Sequence, residues 1–76
     1  MPDHPDLANR LAEHRKARGW TQAELAARVS VSRKSVNTIE NGVFIPSTVL
    51  ALKLAGALDC SVHDLFALPG RQPPCP

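Results

Sequence analysis

Ser32, Arg33, Lys34, Asn37 and Thr38 crowd into one short polar stretch near the middle of the chain. Hydroxyl, guanidinium, ammonium and amide groups hydrogen-bond nucleic-acid base edges and phosphates. Their spacing suits a helix over roughly Arg33 to Asn41. At about 100° per residue, Val36 and Ile39 define its buried side, and Lys34, Asn37, Thr38 and Asn41 lie opposite. Arg33 and Glu40 flank the seam. The outward face holds no long apolar group, as a readout surface requires. Any solvated helix is also polar, so this face alone leaves an unpartnered surface open.

The elements that must hold this face begin with Thr21 to Gly42, TQAELAARVSVSRKSVNTIENG, which reads as two helices joined by a tight turn. Thr21-x-x-Glu24 is a capping box for the first of them, helix 2. Leu25, Ala26 and Val29 give it an inward face. The β-branched Val29 and Val31 and the serines beside them make poor helix interior, and Ser32 is a good N-cap for helix 3. Asn41-Gly42 stops that helix. Before this unit, helix 1 is expected from about Asp6 to Ala17, opening at Pro5-Asp6. Leu7, Ala8, Leu11, Ala12 and Arg15 share one face. Arg15 on an apolar stripe calls for snorkelling or a partner. Gly19 ends the helix, and Trp20 is placed as a core plug between helices 1 and 2.

After the unit, Val43-Phe44-Ile45-Pro46 is too apolar for a solvent loop, so Phe44 or Ile45 is expected against the core. Ser47 caps helix 4, which runs to about Leu58, and Asp59 takes its C-terminal turn. Ser61 caps a short helix 5 over Val62 to Leu68. Pro69 to Pro76 (PGRQPPCP) reads as a disordered tail or the start of a linker cut from a longer chain. The division is one domain over 1–68 and a Pro-rich tail over 69–76. A chain of 76 residues with one Trp, two Phe and no Tyr needs an aliphatic core, which suits helices packed on helices.

Net charge is only +2, but its distribution is uneven. Between Arg10 and Lys34 seven basic residues face two acids; from Ser35 to Phe66 Lys53 is the single basic residue against Glu40, Asp59 and Asp64. One positive side is what a nucleic-acid partner requires. An enzyme reading fails on inventory: His4, His14 and His63 are scattered, and no nucleophile motif, phosphate-cradling Gly-rich loop or carboxylate pair accompanies them. Cys60 and Cys75 have no CxxC partner, so no metal is expected. A domain this small has no room for a large cofactor pocket beside its core, and none is expected. No apolar run approaches the ~20 residues that span a bilayer, and no signal-peptide pattern opens the chain, so a cytoplasmic location is expected.

Counting Gln22 as one, Ala26 stands at five, and Leu25, Val29, Val31, Val36 and Ile39 stand at four, eight, ten, fifteen and eighteen. A small residue at five lets two helices cross closely. This spacing resembles the helix-turn-helix motif. With RLAEHRKARGWTQAELA, VSRKSVNTIENG, PSTVLALKLA and CSVHDLF, the stretch from about Asn9 to Phe66 resembles the Cro/cI-like (XRE) family of bacterial and phage regulators. The resemblance implies an all-α, five-helix, lambda-repressor-like domain with the motif at helices 2 and 3. It implies double-stranded DNA as partner, and a sequence-specific regulator, a repressor, binding a palindromic operator as a homodimer. It implies that Gln22 grips a phosphate, that Ser32, Arg33, Lys34, Asn37 and Thr38 reach the major groove and its rims, and that Asn41 contacts phosphate. It also implies an ion pair between Arg15 and Glu40.

Three positions depart from that pattern: Ser30 where glycine is usual in the turn, Val43 where a basic residue often follows Gly42, and Lys34 where the recognition helix often has Gln, which favours guanine or phosphate over adenine. Helix 5 and the exposed part of helix 4 are the expected dimer surface, with Val49, Leu65, Phe66 and Leu68 as candidates. No small-molecule ligand is expected within this chain. The rival reading is a protein-interaction module, such as an adaptor or the antitoxin half of a toxin pair, that keeps the fold without reading DNA.

Overall fold

The computed structural model describes residues 7–68. Along these the elements run β1 (Ala8–Asn9), α1 (Leu11–Ala17), α2 (Gln22–Val29), α3 (Arg33–Glu40), α4 (Thr48–Ala57), α5 (Val62–Leu65) and β2 (Phe66–Ala67). The five helices of the expected all-α architecture are present, together with a minor two-stranded ribbon. The expected start at Pro5-Asp6, the tail after Leu68, His4 and Cys75 lie outside the described residues.

Each helix is opened by its own sequence. Thr21 and Glu24 close a reciprocal capping box on α2, with Thr21 N–H to Glu24 Oε1 at 2.9 Å and Glu24 N–H to Thr21 Oγ1 at 3.1 Å. Ser61 and Asp64 do the same for α5 at 2.9 and 3.1 Å. Ser32 and Ser47 cap α3 and α4 with single bonds of 3.1 Å to Ser35 N–H and Leu50 N–H. Such a cap contributes about 1 kcal/mol.

The ends of α1 to α4 share one device: a left-handed residue followed by paired backbone bonds to the last turn, the Schellman arrangement. The left-handed residues are Gly19, Ser30, Gly42 and Asp59, with φ of 73°, 59°, 70° and 54°. After α2, for example, Ser30 N–H donates to Ala27 O at 3.4 Å and Val31 N–H to Ala26 O at 3.0 Å. The turn between α2 and α3 keeps the left-handed shape without a glycine, with Ser30 carrying the backbone strain.

The core is aliphatic. Leu11, Leu25, Val36, Ile39, Leu54 and Leu65 are fully buried. One comes from each of α1, α2, α4 and α5 and two from α3, so α3 is held from several sides. Burying each such side chain stabilises by about 1.5–3 kcal/mol. Ala26 is 3% exposed, which seats α2 closely on its neighbours. Trp20 packs half-buried against the core.

Three expectations change. Helix 1 begins at Leu11 rather than near Asp6, because Ala8 and Asn9 pair antiparallel with Ala67 and Phe66, and Asn9 Oδ1 accepts from Leu11 N–H at 3.3 Å. Helix 5 ends at Leu65 for the same reason: the chain turns extended at Phe66 to make that ribbon, and Arg10 N–H donates to Leu65 O at 2.7 Å. Phe44 and Ile45 do not enter the core but remain 52% and 44% exposed. Both flank the tight exit from α3, where Val43 and Phe44 N–H groups both donate to Thr38 O at 2.9 and 3.2 Å. The backbone there is committed before the side chains can reach inward.

Candidate nucleic-acid interface

The surface begins at the N-termini of α2 and α3, which are positioned by the crossing at Ala26 and the left-handed turn at Ser30. Arg33 and Lys34 are exposed in the first turn of α3. Among the described residues, neither enters a salt bridge, so both cations face solvent without a carboxylate to neutralise them. Ser32 is exposed, but its hydroxyl accepts from Ser35 N–H and lies 3.0 Å from Ser35 Oγ. Thr38 is half-buried and donates its hydroxyl to Ser35 O at 3.0 Å. These two hydroxyls therefore shape α3 as well as lining its surface.

Behind the surface lies a polar network. Arg15 and Glu40 are buried, at 9% and 7% exposure. The Arg15 guanidinium donates through Nε to Glu40 Oε2 at 2.7 Å and through Nη2 to Oε1 at 3.2 Å. Its Nη1 donates to Trp20 O at 2.7 Å. One charged side chain thus ties α1 to both α3 and the connector into α2. This resolves the Arg on the apolar stripe: it is paired, not snorkelling. Gln22 Nε2 donates to Glu40 Oε1 at 3.0 Å and to Asn37 Oδ1 at 3.2 Å. Asn41 Nδ2 donates to the same Asn37 oxygen at 3.1 Å.

The structure brings Gln22, Asn37 and Asn41 together, and with them Glu40 and Arg15. It also redirects one expectation. The Gln22 amide NH2 is turned inward on Glu40 and Asn37, so its side-chain nitrogen is already engaged. The N-terminal backbone of α2, with its helix dipole, remains the element suited to an anion.

The sequence reading missed Arg28. Its guanidinium lies 4.0 Å from the Trp20 ring centroid, with Arg18 at 5.7 Å. Arg18 also donates to Leu58 O at 2.8 Å. The charge excess of the N-terminal half was visible, but the stacking of two arginines on the lone Trp needs the helices folded together. Asn9 was likewise unforeseen: its Nδ2 donates to Ile39 O at 3.1 Å, fastening the ribbon to the end of α3.

The titration shifts lie at the helix caps and one thiol. The Thr21 backbone and hydroxyl hold Glu24 below its ordinary carboxylate value. The Ser61 backbone and hydroxyl do the same to Asp64. Burial, followed by the nearby Asp64, pushes the Cys60 thiol up.

Of the four expected dimer residues, Val49 and Leu68 are 62% and 64% exposed, whereas Leu65 and Phe66 are 1% and 7% exposed. The last two belong to the protomer's own core and cannot supply a surface. Leu52 and Ile45, neither anticipated for this role, are 58% and 44% exposed and border an apolar groove with Leu7, Pro46 and Val62.

Two short helices crossing at a small residue, joined by a left-handed turn, with the second helix exposing cations and an amide, define a helix-turn-helix domain. The helix-turn-helix family model matches residues 11–65. An uncharacterised HTH-type transcriptional regulator of Methanothermobacter thermautotrophicus is 44% identical over 59 residues, covering 76% of this chain and 86% of the relative. The HTH-type transcriptional regulator YgzD of Bacillus subtilis is 37% identical over 62 residues, covering 82% and 94%. The cryptic phage CTXphi transcriptional repressor RstR of Vibrio cholerae is 36% identical over 59 residues, covering 78% of this chain and 53% of that protein. The chain belongs to the Cro/C1-type (XRE) helix-turn-helix family of transcriptional regulators. Among the described residues, no helix is long and apolar enough to cross a membrane.

Proposed function

We propose that this chain is a sequence-specific, double-stranded DNA-binding repressor that acts as a homodimer on a palindromic operator. The observation that carries the reading is the α3 surface: Arg33 and Lys34 exposed in its first turn, without salt-bridge partners among the described residues, beside the Asn37 amide. A recognition helix placed in the major groove uses such N-terminal residues on base edges. Arg33 and Lys34 are assigned to guanine or flanking phosphate, Asn37 and Thr38 to base edges, and Ser32 and Asn41 to the rims and phosphate. Gln22 contributes at the α2 N-terminus. Repression follows the relative from Vibrio cholerae, whose name describes a repressor.

A single small reading head makes too few base contacts for a specific site, so two copies on a palindrome are required. The exposed apolar side chains Val49, Leu52, Leu68 and Ile45 are the candidates for the surface on which a second copy would pack. Exposed apolar patches on small domains commonly mark such contacts.

The test is gel-shift binding to genomic fragments across a salt series, with sedimentation of the free protein. Specific binding should leave a sequence-dependent plateau and fall steeply with salt. Failure to bind any fragment at low salt would overturn the reading in favour of a protein-interaction module. A monomer at every concentration, on and off DNA, would remove the dimer.

A further inference from the structure

The hydrogen-bonding polarity of the α3 surface can be traced outward from the buried ion pair. The Glu40 carboxylate, paired with the Arg15 guanidinium, can only accept. It therefore faces the NH2 end of the Gln22 amide, at 3.0 Å. The other hydrogen of that NH2 is directed at Asn37, 3.2 Å away, and must meet an acceptor, so Asn37 turns its Oδ1 inward. Asn41 Nδ2 donates to the same oxygen at 3.1 Å. An amide oxygen has two lone pairs, and both are engaged. What Asn37 has left for a ligand is its NH2.

That orientation selects a base. Bidentate recognition of adenine by Asn needs Oδ1 to accept from N6–H while Nδ2 donates to N7. The first half of that contact is closed here. Cytosine presents only a donor in the major groove, and thymine a single acceptor beside a methyl group. Guanine presents two acceptors, N7 and O6. The neighbouring Arg33 and Lys34 side chains are also donor-only. We infer that Asn37 reads guanine rather than adenine in the major groove, and that Gln22 and Asn41 are positioning residues that hold its amide in the guanine-reading orientation.

This inference rests on the DNA-reading function proposed above, and its test keeps the two separable. Bound sequences are selected from a random duplex pool with the full chain and with Asn37→Ala. The base pair whose preference relaxes in Asn37→Ala is the one that Asn37 reads, and a G·C pair is expected there. Changing it to A·T should weaken the wild-type protein roughly tenfold. Inosine, which keeps N7 and O6, should bind like guanine. In Gln22→Leu, with folding checked by thermal melts, the freed amide can turn and the guanine-to-adenine ratio should fall toward one; in Asn41→Ala, where Gln22 still holds the amide, one lone pair of Oδ1 opens and the ratio should fall by less. A merely structural role for Gln22 or Asn41 would weaken both sequences equally and leave the ratio unchanged, which overturns the positioning assignment. An A·T pair at the relaxed position, or no relaxed position in Asn37→Ala, overturns the guanine assignment while DNA reading stands. A pool that yields no motif removes DNA reading and this inference together.

Discussion

Replacing Arg15 by Met would leave the Glu40 carboxylate 7% exposed, with Gln22 Nε2 as its remaining side-chain donor. Removing one member of a buried ion pair costs about 3–5 kcal/mol, because an uncompensated charge stays inside. The Trp20 carbonyl also loses its 2.7 Å partner, adding about 1 kcal/mol. A chain of 76 residues has on the order of 4–11 kcal/mol of total stability. Arg15→Met should therefore sit close to unfolding, its urea midpoint lower by about 4–6 M at a slope near 1 kcal/mol/M. The double variant Arg15→Met, Glu40→Leu fills the same space with apolar groups, an exchange that is commonly neutral or stabilising. It should recover to within about 1 kcal/mol of the starting protein, the unpaired Trp20 carbonyl being the residual cost. Yet in the double variant the Gln22 amide no longer has the acceptor that orients it. Stability should return while guanine-to-adenine discrimination does not. Urea titration followed by Trp20 fluorescence reads the first quantity, and gel shifts on paired operators read the second. A loss below about 1 kcal/mol in Arg15→Met would refute the buried-charge argument. A double variant that keeps full discrimination would refute the claim that Glu40 sets the polarity of Asn37.

Three further outcomes follow from the same geometry. Ser30 occupies a left-handed backbone at φ 59°, so Ser30→Gly should raise the melting temperature by about 3–6 °C; an unchanged or lower value would mean the turn carries no strain. Glu24 and Asp64 are held below their ordinary carboxylate values by their capping bonds. Their contribution is thus complete above the unfolded-state value and is lost as pH falls through the lower folded one. Glu24→Gln with Asp64→Asn should flatten the stability curve below roughly pH 4, read by melts at stepped pH, and an acid limb as steep as before would remove the caps from the explanation. If Arg33 and Lys34 hold phosphates, each change to Ala should reduce the log–log salt slope of binding by about one; a change in specificity without a change in slope would move that residue onto a base.

The parts of this fold that were legible in the sequence are those decided locally. Thr21, Ser32, Ser47 and Ser61 mark the starts of α2 to α5 because a cap needs only a hydroxyl and the next few N–H groups. The buried faces of α2 and α3 follow from helical period alone. What was not legible depends on contacts across the chain. Leu7 and Ala8 extend the apolar pattern of α1, and only the arrival of Phe66 and Ala67 draws Ala8 and Asn9 into a ribbon. The same pairing took Phe66 from the expected dimer surface into the core, since a strand there alternates its faces while a helix would not. Phe44 and Ile45 misled because apolar character is not burial: a tight exit from α3, fixed by two N–H groups on Thr38 O, leaves them outside.

The reading surface itself shows a sharper limit. Periodicity says which side chains lie outward on α3, and so Lys34, Asn37 and Asn41 were found together. It does not say which atom of an amide faces out, because Asn and Gln carry a donor and an acceptor at the same distance from the backbone. That choice is made elsewhere, by the nearest group that has no choice. Here the group is the Glu40 carboxylate, on the neighbouring turn of α3 but turned into the core against Arg15. Gln22, the first residue of α2, hands its polarity on to Asn37. A residue singled out as a phosphate grip thereby becomes a link between the buried charge and the exposed amide. By the same reasoning, an amide on a reading helix can be assigned to a base only after its inward hydrogen bonds have been followed to a group whose donor or acceptor character is fixed.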